Sequence, residues 1–253
     1  MLSFLDRWRE RRILKRHPII EADWRAALKR SAPLASLDAS DQARLRVMAT
    51  LLLHDKSIEP VQGLELSSAD RTWLAALACV PVLKLGLRWY REWHSIVVYP
   101  DAFVPEREHI DEAGVVHQHR TPLSGEAWER GPVILAWEEV AQAGVTPGHN
   151  VVIHEMAHKL DMLNGDANGF PPLHARMSRR IWVQVLGSAF RQLEQRVDAG
   201  YPPPLDPYGL ESPGEFFAVA SEAFFETPRR LRNFSPELYQ QLCLFYRQRP
   251  LPE

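Results

Sequence analysis

His154-Glu155-Met156-Ala157-His158 is the segment that most restricts how this chain can fold. Val151-Val152-Ile153 leads into it and Leu160 and Leu163 follow, the apolar pattern of a largely buried helix. Side chains at i and i+4 leave the same face of a helix, so His154 and His158 reach a common point. Glu155 is rotated by about 100° from His154 and therefore flanks that point. Two imidazoles and a carboxylate are costly to bury unless each finds a partner. A hydrogen-bonded pair of core histidines would be one solution. A metal ion held by His154 and His158, with Glu155 beside it as a general base, satisfies all three at once.

A catalytic zinc ion takes three protein ligands and keeps a fourth position open. The metzincin pattern requires Gly at 161 and His at 164, where this chain has Asp161 and Asn164, so that arrangement is excluded. Other candidates follow a proline-rich loop between Gly200 and Gly214. Glu215 and Glu222 lie seven residues apart on an apolar helix that includes Phe216, Phe217 and Phe224, and so share one face. Two turns separate them by about 10 Å, so only one can ligate. The other is suited to holding a ligand histidine through its second ring nitrogen, or to pairing with an arginine. Asp206 is a rival third ligand. Asp206-Pro207-Tyr208-Gly209 is also a good turn sequence. His117 and His119, two apart on an expected strand, share a face and read as exposed strand residues.

Helices are expected from Asp38 or Ser40 through Leu52, and from Ser67 or Ser68 to about Pro81. Short β-branched runs at 96–99, 114–117 and 132–137 read as strands, and by analogy with peptidases that carry such a histidine-bearing helix 132–137 is expected to be the sheet edge available to a substrate backbone. Helices are expected again at 150–163, 174–198, 213–226 and 235–247. This order gives an α+β fold, with residues 1–35 as a basic arm and 36–253 as one domain.

The net charge of -2 provides no overall field for nucleic acid or membrane. The cluster Arg7 to Arg16 reads as a solvated helix face. No apolar run is long enough for a membrane span, the first residues do not form a signal peptide, and the expected compartment is the cytoplasm. Cys79 and Cys243 are far apart in apolar surroundings and are expected to be buried free thiols.

Three stretches together resemble the Mlc titration factor A family of bacterial zinc peptidases: 151–161, Asn164-Gly165-Asp166, and Pro213-Gly214-Glu215-Phe216-Phe217 through Glu222. Pro81 to Leu87, Tyr99-Pro100 and Gly131 to Trp137 extend the resemblance, which covers about residues 40 to 250. There is a more distant similarity to the catalytic domain of anthrax lethal factor. The resemblance implies a zincin-like fold, one zinc ion per chain, and Glu215 rather than Glu222 or Asp206 as third ligand. It implies that Tyr208 stands next to the metal and assists catalysis. It also implies a cytoplasmic aminopeptidase of the gluzincin type that binds a Mlc-like repressor of sugar-uptake genes. The basic N-terminal arm departs from the family pattern. A repressor-binding regulator with incidental turnover is the other reading, although a pure binder has no need of Glu155.

Overall fold

A computed structural model describes residues 4–102, 107–110, 116–119, 125–127, 131–144 and 146–251. The chain opens with helices α1 (Phe4–Arg16), α2 (Glu21–Arg30), the single turn α3 (Ala32–Ala35) and α4 (Ala39–Asp55). Strand β1 (Ser57–Pro60), helix α5 (Ser68–Cys79) and strand β2 (Ser95–Tyr99) come next. The strands β3 (Arg107–Ile110), β4 (Val116–His119), β5 (Gly125–Ala127) and β6 (Val133–Ala136) follow. The remainder is helical: α6 (Trp137–Gln142), α7 (Val151–Asp161), α8 (Arg179–Asp198), α9 (Pro213–Glu226), α10 (Pro228–Phe234) and α11 (Pro236–Tyr246).

The sheet order is β1-β2-β6-β5. The first three strands are parallel, with Ser57 opposite Ser95 and Ile96 opposite Val133, and β5 runs antiparallel on the far side of β6. This is a helix-rich mixed architecture, in keeping with the α+β expectation. Ile96 and Val98 are buried while their neighbours on β2 are partly exposed, so one face of the sheet carries the core. The expectation that 132–137 forms the edge is corrected: β6 is paired on both sides, and among the described residues β5 takes the edge position. Trp137, expected to end that strand, instead opens α6. Of the expected strand 114–117, Gly114 and Val115 lie outside the described residues, and Val116 and His117 begin β4.

Local signals account for the helix ends. Asp38 caps α4 by accepting from Asp41 N, and Ser67 with Asp70 forms a reciprocal capping box on α5. Ser178 caps α8, so that helix starts at Arg179 and not at 174. Helix α5 is buried over Thr72–Cys79 and packs against α2, α4 and α7. Residues 19–34 contribute Ile19, Trp24, Ala27 and Leu34 to the same core, and the Arg30 guanidinium stacks 3.6 Å from the centre of the Trp73 ring. Among the described residues, no helix is long and apolar enough to cross a membrane.

Cys79 and Cys243 are both free and buried. Burial pushes the Cys79 thiol far above its usual range. Cys79 should therefore resist alkylation by iodoacetamide in the folded protein and react fully in denaturant, as read by peptide mass.

Candidate metal centre

All eleven residues of α7 are buried. Its N-terminus is capped by Asn150, whose Oδ1 accepts from Ile153 N at 3.1 Å. Helix α9 starts at Ser212, whose hydroxyl accepts from Glu215 N at 3.1 Å, and Pro213 fills the first helical position. Ser212-Pro213-Gly214-Glu215 has the spacing of a capping box, in which the glutamate would turn back to the cap. Here the Glu215 carboxylate turns instead to the histidines on α7.

The Nε2 atoms of His154 and His158 stand 3.1 Å apart, and Glu215 Oε2 lies 2.9 Å from the first and 3.2 Å from the second. Among the described residues, these three form the one group of histidine, cysteine or carboxylate side chains whose donor atoms could hold a metal ion. On the other side of the His154 ring, Nδ1–H donates to Glu222 Oε1 at 2.7 Å. Glu222 is itself held by Asn150 N, which donates to Oε2 at 2.5 Å. A proton held on Nδ1 by Glu222 would leave the Nε2 lone pair of His154 available to a cation placed between His158 and Glu215.

The electrostatics test whether a cation fits there. Burial pulls the His154 imidazole down, but its hydrogen bonds to Glu215 and Glu222 outweigh this and raise it well above the ordinary range. Burial raises Glu215, and the two histidines overcome this and hold its carboxyl far below the usual carboxylate range. Both directions reflect the carboxylates favouring positive charge on the histidines. Two imidazole nitrogens and one carboxylate oxygen form a donor set suited to a divalent ion with an open position. The residues present fit a metal.

Glu155 is 4% exposed, and its Oε2 has no hydrogen-bond partner among the described residues. Burial pushes its carboxyl above the usual range, against the pull of His154 and His158. Strand β5 lies directly over it. A methyl group built on Gly125 would stand 2.8 Å from Glu155 Cγ, so only glycine lets the strand approach this closely. Tyr208 sits in a 3-10 turn, Pro207–Leu210, with its ring centre 6.0 Å from that of His154 and 49% of its surface exposed. Burial, reinforced by the charges of Glu215 and Glu155, pushes its hydroxyl up to about 12, so it stays protonated at neutral pH.

The structure thus brings together His154, Glu155, His158, Glu215 and Tyr208, with Glu222 behind His154. Asp206 stands apart from the group: it is exposed and caps the 3-10 turn by accepting from Tyr208 N at 3.0 Å. His117 and His119 lie on β4, opposite His109 and Arg107 of β3. Sequence reasoning passed over Asn150 and Gly125. An asparagine just before an apolar helical run is a recognisable cap signal. No local pattern marks a glycine that must let a distant carboxylate come close.

Residues 5–247 match the model of the glucose-regulated metallopeptidase M90 family. A protein named Mlc titration factor A from Yersinia enterocolitica is 40% identical over 234 residues, which cover 91% of this chain and 86% of the relative. A protein of that name from Escherichia fergusonii is 39% identical over 221 residues, covering 86% of this chain and 83% of the relative. Another from Yersinia pestis is 39% identical over 234 residues, with 91% and 86% covered. A match along nearly the whole chain, spanning the His154, His158 and Glu215 cluster, identifies this protein as a member of the glucose-regulated metallopeptidase M90 family.

Proposed function

We propose that this chain is a zinc-dependent peptidase, aminopeptidase-like and of the gluzincin type, with a zincin-like fold. Residues 36–253 would form the body of the peptidase domain, and 1–35 a basic arm whose residues 19–34 pack into the same core. The observation that supports this most strongly is the convergence of His154 Nε2, His158 Nε2 and Glu215 Oε2 beside the buried, unpaired Glu155 Oε2. His154, His158 and Glu215 would hold one zinc ion. When bound, zinc supplies Lewis acidity, lowering the pKa of a water and polarising a carbonyl.

The other roles belong to the protein's own groups. Glu222 fixes the His154 tautomer through Nδ1. Glu155 takes the proton of the attacking water on its carboxylate and returns it to the leaving amine. Its burial keeps bulk water from competing for that proton. The Tyr208 hydroxyl, protonated and beside His154, donates to the substrate's carbonyl oxygen as negative charge develops there. The outer edge of β5 offers backbone groups to an extended peptide. The preference for a free amino terminus rests on family resemblance alone.

A second role is proposed on a separate observation. The curated relatives are named titration factors of Mlc, so this chain is expected to bind a Mlc-like transcriptional repressor in the cytoplasm as well. The two roles separate in one assay pair: peptide cleavage with zinc present, and co-purification with the repressor. Tight repressor binding without cleavage across a broad peptide library would leave only the binding role.

Tyr208→Phe should lower kcat by about 10- to 1,000-fold with metal content unchanged. An unaltered kcat would return Tyr208 to a turn residue. Gly125→Ala should also slow turnover without loss of metal, because the added methyl collides with the Glu155 side chain and not with the ligands. Steady-state kinetics beside metal analysis would check both, and a loss of metal in Gly125→Ala would count against the contact with Glu155 as the cause.

A further inference from the structure

The two histidines ride on α7 and Glu215 rides on α9, so the shape of the cluster depends on how these helices dock. His154 is anchored from α9 through Glu222. His158 has no such anchor: its Nδ1 is buried and without a hydrogen-bond partner among the described residues. The spacing of His158 from Glu215 therefore depends on how the end of α7 meets the start of α9, as well as on the Glu222 anchor at the other end.

Besides the direct packing of α7 on α9, that contact includes one buried carboxylate and one loop. Asp161, the last residue of α7, is fully buried, and its Oδ2 accepts from Gly169 N at 2.7 Å. Gly169 has φ +76°, and a methyl group built on it would stand 2.5 Å from Pro213 O. In the reverse direction, a methyl group on Gly214 would stand 2.7 Å from Ala167 O. Backbone thus lies directly on backbone at two points, and Glu215 is the next residue. Trp182 on α8 pins the far side of the loop by donating from Nε1 to Gly169 O at 2.9 Å. The chain of contact is Asp161 to Gly169, Gly169 to Pro213, and Ala167 to Gly214, ending at the carboxylate that faces the histidines.

We propose that Asp161 is a positioning residue for the metal site: by holding the 165–170 loop against Pro213 and Gly214, it sets the distance between His158 and Glu215. The proposal rests on the reading of His154, His158 and Glu215 as ligands. Its consequence is that zinc affinity depends on residues that never touch the ion, because a misplaced third ligand weakens binding by about 10- to 100-fold.

Zinc affinity of the full-length protein, measured by competition with a chromophoric chelator, tests this when read beside the melting temperature of the metal-free form. Asp161→Ala and Gly214→Ala should each weaken zinc binding by about tenfold or more. Asp161→Asn keeps an oxygen that can accept from Gly169 N, and should stay within a few-fold of wild type. A purely structural role predicts otherwise: Asp161→Ala would lower the metal-free melting temperature and leave zinc affinity intact, and that result overturns the proposal. If Asp161→Ala does not fold, Gly214→Ala decides, because wild-type affinity there removes the proposed link to Glu215. Asp161→Asn binding as weakly as Asp161→Ala would overturn the hydrogen-bond account. Glu215→Ala and His154→Ala belong in the same titration. Retained zinc in those two would sink the ligand reading itself, whereas their loss of zinc beside unaffected clamp variants would sink the clamp alone.

Discussion

Glu155→Gln protein should fold, carry zinc like wild type, and cleave peptides about 100- to 10,000-fold more slowly. Glutamine keeps the shape of the side chain, so the close packing of β5 over it survives. Position 155 is rotated off the face that His154 and His158 share, so the three donors that converge on the ion are unchanged. What is lost is the carboxylate that receives a proton. Repressor binding should persist, since a side chain that is 4% exposed offers a partner almost no surface. Cleavage at the wild-type rate by this variant, in a preparation free of contaminating peptidase, would defeat the assignment of Glu155 as base.

The second large effect concerns the ion. Purified protein should contain about one zinc per chain. His154→Ala, His158→Ala and Glu215→Ala should each abolish stoichiometric zinc, read by elemental analysis after gel filtration. Glu222→Ala should still fill at saturating zinc but bind about 10- to 100-fold more weakly, because it removes the hydrogen bonds to His154 and Asn150 N while leaving the three donor atoms in place. Chelation of the wild type should lower its melting temperature, since an ion that binds only the folded form stabilises it by mass action. Asp206→Ala is the contrast: it loses the cap on the 3-10 turn and should keep its zinc. Full zinc in Glu215→Ala together with loss in Asp206→Ala would reverse the choice of third ligand.

Much of this centre could be read before any coordinates, because its signals are local. The i and i+4 histidines, the cap-proline start of α9 and the seven-residue spacing of Glu215 and Glu222 are each visible within one or two turns of helix. The caps of α4 and α5 were legible for the same reason. Other elements lacked such signals. Strand β1 reads Ser-Ile-Glu-Pro, with one buried apolar residue, and exists because β2 pairs with it. Helix α10 has Leu231 as its one buried side chain among arginines, so it has no apolar stripe to detect. The edge role passed from β6 to β5 because Gly125-Glu126-Ala127 is too short and too weakly β-forming to stand out. The Gly125–Glu155 and Gly214–Ala167 contacts join segments distant in sequence, and no window of one chain displays them.

Among the described residues, the proposed ligands lie on α7 and α9, while the strand that covers Glu155 comes from the stretch between β2 and β6. Selection can therefore act on the two separately. If the proposed function holds, substitutions in the stretch that supplies β5 should alter which peptides are accepted while the proposed donors stay constant, provided position 125 remains glycine. Substitutions on α9 have no such freedom, because a single displacement of that helix moves Glu215 and the support of His154 together. Across descendants of this sequence, substrate preference should drift faster than metal preference.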